Sequence, residues 1–194
     1  MAIDKRIVIF GGSFNPPTLA HEAIMKALLA LPQFDEVWVM PSGSRADKTI
    51  AVSDAHRLAM LQLVRSASFA NDRRLVISDF ELQLPRPSET RRTLAELHTA
   101  YPGTDFWFAL GGDSYHSLLT WPGAEEFADG LPMVVFTADD VPEVATGRAL
   151  RIPLPPEFDE TSSTLVRDSL SRQADAASLV SPAIMEYAAR HRLY

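Results

Sequence analysis

Two kinds of segment alternate along the chain: short runs rich in β-branched and aromatic residues, and longer stretches whose apolar positions recur with helical spacing. The short runs are Arg6 to Phe10 (RIVIF), Glu36 to Met40 (EVWVM), Leu75 to Ser78 (LVIS), Asp105 to Leu110 (DFWFAL) and Pro132 to Thr137 (PMVVFT). Each is nearly continuously apolar. Strands covered on both faces read this way, whereas a strand with one wet face alternates, so the pattern predicts a parallel sheet inside an α/β sandwich.

The helical stretches fall between these runs. Ala20 to Leu31 puts Ile24, Leu28 and Leu31 on one stripe, and Asp54 to Ala67 carries Leu58, Leu61 and Val64 behind Ser53 as N-cap. A third helix, capped by Ser88, runs through Leu94 and Leu97 and stops at Tyr101-Pro102-Gly103. A fourth region, Ser114 to Ala128, is broken at Trp121-Pro122-Gly123. Ser162 caps a helix through Leu170, and Ser181-Pro182 opens another to about Arg190.

The predicted order is βαβαβαβαβ followed mostly by helix. This is an α/β, Rossmann-like three-layer sandwich with a mainly parallel sheet of five to six strands and helices on both faces. Thr137 to Glu160, which holds Pro142, Pro153, Pro155 and Pro156, reads as a long surface connection with one short strand at Ala149 to Ile152. One domain over residues 1–194 is expected, with a helical part from about 161 to 194 packed on it.

Composition changes this picture little. Of 194 residues 46% are apolar and 22% charged, which fits an ordinary globular chain and excludes disordered, collagenous and disulfide-scaffold classes. The absence of cysteine removes thiolate catalysis, redox exchange and cysteine-bound zinc. The start, Met1-Ala2-Ile3-Asp4-Lys5-Arg6, lacks the features of a signal peptide, and no window approaches the roughly 20 apolar residues of a membrane span. A cytoplasmic protein, with no membrane partner, is expected.

The net charge of −7 argues against a nucleic-acid surface. It leaves room for a small anionic ligand, since charges beyond a Debye length of about 8 Å are largely screened.

One segment stands where such a ligand would bind. Gly11-Gly12-Ser13-Phe14-Asn15-Pro16-Pro17-Thr18-Leu19-Ala20-His21 joins the first strand to the first helix. Ligands of open α/β sheets lie at the carboxyl ends of the strands, and a first βα loop with glycines lets backbone N–H groups approach a phosphate. It matches neither a dinucleotide fingerprint nor a P-loop. Thr18 and His21, three apart, share a face of the helix start and can converge on one anion. A tight turn stiffened by prolines is the alternative reading.

Near the other end, Ser162, Ser163 and Thr164 stand at a predicted helix N-terminus, with Arg167 about one turn on. Hydroxyls, free backbone N–H groups, the helix dipole and a guanidinium together suit a phosphate. A serine-rich cap with a surface arginine is the alternative here. Arg45, Lys48, Arg57 and His56, set against Asp47 and Asp54, read as a solvated surface of mixed charge.

The first loop resembles the first signature of the nucleotidyltransferase superfamily of HxGH-type adenylyl and cytidylyl transferases, with Thr18 for the first histidine and Ala20 for the glycine. Within it the chain most resembles the bacterial nicotinate-nucleotide adenylyltransferases, from Ile7 to about Leu170. Pro41 to Met60 is similar to that family's loop ending in a lysine and its R-x-x-M helix, here Lys48 and Arg57 to Met60. Pro87 to Leu94 (PSETRRTL), Gly111 to Trp121 (GGDSYHSLLTW) and Ser162 to Arg167 (SSTLVR) resemble three further segments of the family in order.

The resemblance implies transfer of AMP from ATP to nicotinate mononucleotide, giving deamido-NAD and pyrophosphate. It implies Thr18, His21 and Arg167 as catalytic residues and Gly11, Gly12, Ser13, Phe14, Lys48, Gly111, Asp113, Ser162, Ser163 and Thr164 as the ATP and phosphate site. For the nicotinate nucleotide it implies Ser88, Thr90 and Trp121, the last stacking on the pyridine. Magnesium is expected on the substrate phosphates, without a protein metal site, and the chain as a monomer or homodimer.

Glu89 and Arg92 replace the family's tyrosine and aspartate. They leave nicotinamide mononucleotide or another phosphorylated acceptor as an alternative, with a non-catalytic nucleotide-binding paralogue as a third reading.

Overall fold

A computed structural model describes residues 3–43, 50–87, 89–121, 124, 130–137, 149–153, 161–172 and 174–194. Six strands form one sheet in the order β3-β2-β1-β4-β5-β6, and every pairing is parallel. They are β1 (Lys5–Gly12), β2 (Glu36–Pro41), β3 (Leu75–Ile77), β4 (Thr104–Gly111), β5 (Met133–Thr137) and β6 (Ala149–Pro153). The short run at 149 is thus a full edge strand, and the sheet is wholly parallel.

Both faces of the sheet are buried, which explains the unbroken apolar runs. Val8, Phe10, Val37, Val39, Trp107 and Ala109 face one core, and Ile7, Ile9, Trp38, Met40, Phe106 and Phe108 face the other. Onto the first face pack Met25 and Leu28 of α1 (Leu19–Leu29) and Met60, Leu61 and Val64 of α2 (Asp54–Ser68). The same core takes Val166 of α5 (Ser163–Ser171) and Ile184 of α6 (Pro182–His191). Leu94 and Leu97 of α3 (Thr90–Ala100) cover the second face. Each such side chain contributes roughly 1.5–3 kcal/mol of apolar burial.

The caps follow the sequence with two differences. Ser53 and Ser162 cap α2 and α5 through their hydroxyls, and Pro182 stands in the first turn of α6. The N-cap position of α3 is Glu89, without a side-chain bond, and Ser88 lies outside the described residues. The fourth helical region is short: α4 (Gly112–Ser117) tightens into a 3-10 turn over Leu118–Thr120 before Trp121. A 3-10 turn at Phe80–Gln83 has no counterpart in the apolar pattern.

The crossovers from β1 and β2 use α1 and α2 on one face, and that from β3 to β4 uses α3 on the other. β1 and β4 are neighbours, so the order of strand addition reverses between them, with β2 and β3 on one side and β5 and β6 on the other. In doubly wound sheets the ligand crevice opens at that switch point, beyond the carboxyl ends of the strands.

Candidate active site

β1 ends at Gly12, and the next residues fold tightly over its carboxyl end. Phe14 is fully buried with φ 46°, a left-handed conformation that costs a non-glycine residue roughly 1–2 kcal/mol. Its ring fits because Gly12 has no side chain: a Cβ there would meet the Phe14 ring at 3.2–3.4 Å. Gly11 has open space at the corresponding point. One glycine of the pair makes room for an aromatic ring, therefore, while the other faces an unobstructed surface.

Thr18 caps α1. It is fully buried, and its hydroxyl lies 2.8 Å from His21 Nδ1 and 3.4 Å from the His21 amide, whose N–H it accepts. The Thr18 backbone N–H in turn donates to His21 Nδ1 at 2.9 Å, completing a reciprocal capping box. The two side chains expected to converge on an anion are thus bonded to each other. His21 is half-buried, with the Phe14 ring 5.0 Å and the Phe10 ring 5.9 Å away, centroid to centroid. Burial lowers its pKa from the ordinary 6.5 to about 4, so at neutral pH the imidazole is uncharged.

Groups from distant parts of the chain hold this loop. Ser163 Oγ donates to the Pro16 carbonyl at 2.8 Å, and Arg167 donates to the Asn15 carbonyl at 2.9 Å and to Thr164 Oγ1 at 3.0 Å. The first-loop segment and the SSTLVR segment, about 150 residues apart, therefore meet. Ser162 is exposed and spends its hydroxyl on capping Leu165 N. Tyr194 donates its phenol proton to buried Asn15 Oδ1 at 2.8 Å; burial raises the phenol pKa, against the opposing pull of Arg167 and Arg57.

Arg57 corrects the expectation of a solvated charge. It is completely buried and donates to the carbonyls of Ser13 at 2.9 Å and Ser42 at 2.7 Å, tying the ends of β1 and β2 together. Its Nζ-type counterpart in a lysine would offer no such fork; the planar guanidinium reaches both carbonyls and Asp54 Oδ1, at 2.7 Å, at once. Asp54 also pairs with Arg86. Partial burial acts to raise the Asp54 pKa, but the two arginines outweigh it and hold the carboxyl below its usual range. His56 is half-buried as well, 2.9 Å from the Tyr187 hydroxyl.

On the other side of the switch point, Gly111 is exposed at the end of β4 and Thr90 opens α3. Trp121 is half-buried against the second core. Lys48, Arg45, Asp47, Pro122 and Gly123 lie outside the described residues, as does the side chain of Asp113. Arg86 is exposed and engaged by Asp54, while Arg91 and Arg92 are exposed on α3. Among the described residues no three His, Asp or Glu side chains gather as a metal cluster.

Three residues that hold the site were not among the expected site residues, although Arg57 stood in the R-x-x-M segment. Arg57 had a signal, because 57, 60, 61 and 64 form one helical stripe and the other three positions are core residues. Asn15 and Tyr194 had none, since their bond spans 179 positions.

An open, doubly wound parallel sheet with cations and hydroxyls gathered over β1 defines a nucleotide-binding α/β protein. Residues 9–169 match the cytidylyltransferase-like family. A probable nicotinate-nucleotide adenylyltransferase of Albidiferax ferrireducens is 34% identical over 98% of this chain and 98% of its own. One from Synechococcus sp. (strain JA-3-3Ab) is 34% identical over 98% and 95%. The chain belongs to the nicotinate-nucleotide adenylyltransferases of the cytidylyltransferase-like family.

In fold it is similar to the solved nicotinic acid mononucleotide adenylyltransferase of Plasmodium falciparum complexed with NaAD. The TM-score is 0.88 at 23% identity, covering 98% of this chain and 97% of that one. Among the described residues no helix is long and apolar enough to cross a membrane.

Proposed function

We propose that this protein transfers the AMP moiety of ATP to nicotinate mononucleotide, yielding deamido-NAD and pyrophosphate, in the cytoplasm. The observation that carries the reading is the meeting of its two phosphate-type segments: Ser163 and Arg167 bond directly to the loop that leads into Thr18 and His21. A phosphate oxygen of the acceptor, already ionised at neutral pH, attacks the α-phosphorus. The bond from that phosphorus to the bridging oxygen breaks, and pyrophosphate leaves. No enzyme nucleophile or general base is required.

The chain's own residues position and neutralise. Ser163, Thr164 and Arg167, at the N-terminal turn of α5, grip the β- and γ-phosphates, where the helix dipole adds to the guanidinium charge. His21 bonds to the α-phosphate. Gly11, Gly12, Ser13 and Phe14 form the floor, and Lys48, Gly111 and Asp113 complete the ATP side. Ser88, Thr90 and Trp121 receive the acceptor. Alignment of two bound reactants supplies roughly 7–11 kcal/mol of the barrier reduction.

The side chains around the loop are hydroxyls and cations, a set that suits phosphate oxygens, so magnesium would be carried in on the nucleotide and held through the phosphates that Ser163, Thr164 and Arg167 grip. When bound, it neutralises phosphate charge.

Pyrophosphate release from Mg-ATP with a panel of acceptors tests the proposal. Turnover with nicotinate mononucleotide is expected; turnover only with nicotinamide mononucleotide or another phosphorylated acceptor would move the acceptor assignment. ATP binding without any turnover would leave a nucleotide-binding paralogue.

A further inference from the structure

The bonds between Thr18 and His21 decide where the imidazole carries its proton. A backbone N–H can only donate, so the Thr18 amide, 2.9 Å from Nδ1, requires a lone pair there. A proton on Nδ1, whether in the other neutral tautomer or in the imidazolium, would aim one N–H at another. The Thr18 hydroxyl at 2.8 Å could accept from a protonated Nδ1, but the amide would then face that proton without an acceptor. Because Thr18 is fully buried, no water stands ready to replace the lost bond.

The other ring nitrogen is differently placed. Among the described residues the one sealed, unpartnered side-chain nitrogen or oxygen is Arg57 Nε, and no hydrogen bond engages His21 Nε2. That nitrogen therefore reaches solvent. The groups packed on the ring are the Phe10 and Phe14 side chains. Nearby charges are turned elsewhere: Glu22 accepts from Ser68 Oγ at 2.6 Å, and Arg57 and Arg167 donate to loop carbonyls.

We propose that Thr18 is a positioning residue that locks His21 in the tautomer with its proton on Nε2, so that a neutral histidine presents one fixed donor to the substrate phosphate. The role assigned to that donor rests on the adenylyl-transfer reading. Thr18 itself acts through His21 and does not touch the anion. Burial, which lowers the His21 pKa, separately favours the neutral ring.

The test is two-bond nitrogen–proton correlation NMR on the full chain with labelled histidine at neutral pH, His21 being assigned by the loss of its signals in His21→Gln. The Nε2–H tautomer is expected. An Nδ1–H tautomer, or an imidazolium, overturns the lock whatever any variant does.

Thr18→Val removes the hydroxyl contact with Nδ1 but keeps the backbone N–H, so it should leave the Nε2–H tautomer in place, loosen the ring and lower kcat roughly 10-fold while leaving KM for ATP nearly unchanged. Thr18→Ser should restore wild-type behaviour. A Val variant that switches to the Nδ1–H tautomer, or one with wild-type kcat, also overturns the proposal, and if it does not fold the wild-type spectrum still decides. The expected tautomer in a protein that releases no pyrophosphate with any acceptor would count against the functional reading and leave the lock standing.

Discussion

The two rims of the sheet handle positive charge differently. At the amino-terminal rim Lys5, Arg6 and Arg74 each have their own carboxylate, Glu36 at 2.6 Å, Asp105 at 2.9 Å and Asp72 at 2.8 Å, while Arg65 donates to the Leu75 carbonyl at 2.9 Å. At the carboxyl-terminal rim Arg57, Arg86 and Arg167 have between them one carboxylate among the described residues, Asp54. Their remaining bonds go to backbone carbonyls and a hydroxyl, which fix the side chains without cancelling their charge. In a protein of net charge −7, Arg57, Arg86 and Arg167 thus keep charge that direct pairing does not fully cancel.

The largest effect should come from breaking the buried member of that rim. Arg57→Met leaves the Ser13 and Ser42 carbonyls without their donor and Asp54 without its buried partner, and should cost about 3–5 kcal/mol of stability in urea unfolding. Next, Arg167→Met and His21→Ala should each keep the fold and lower kcat by roughly 10²–10³-fold, read as pyrophosphate release. Wild-type turnover in Arg167→Met would end the distinction between the rims.

A smaller effect concerns acid. Between pH 6.5 and about 4 the folded protein binds fewer protons at His21 than the unfolded chain, so stability falls as pH falls through that window and is level above it. His21→Gln should remove this part of the acid sensitivity, seen as a urea midpoint that falls less between pH 7 and pH 4.5 than that of the wild type. The smallest effect belongs to the amino-terminal rim, where Lys5→Met should change stability by less than about 1 kcal/mol. A loss as large as that of Arg57→Met would contradict the comparison.

Much of the fold was legible because the central strands are covered on both sides, so a run such as Ile7-Val8-Ile9-Phe10 needs no partner to declare itself. Helix starts were legible at Ser53 and Ser162, where a hydroxyl does the capping, but not at Thr18, whose capping hydroxyl was read as an anion donor. The cap of α3 was not, because Glu89 takes the position without a side-chain bond. In the site, spacing alone put Thr18 beside His21, but it could not show that they bond to each other. Arg57 looked like surface because its charge was read before its place on the Met60-Leu61-Val64 stripe. Phe14's left-handed turn and Tyr194's reach to Asn15 depend on contacts made only in the folded chain.

The missing side chain at Gly12 has a reach beyond its own residue. Any atom added there would push on the Phe14 ring, which stands edge-on to the His21 imidazole. A void the size of a methyl group in one strand thereby sets the tilt of a ring on the neighbouring helix, and the smallest enlargement at position 12 would misalign the histidine without touching it.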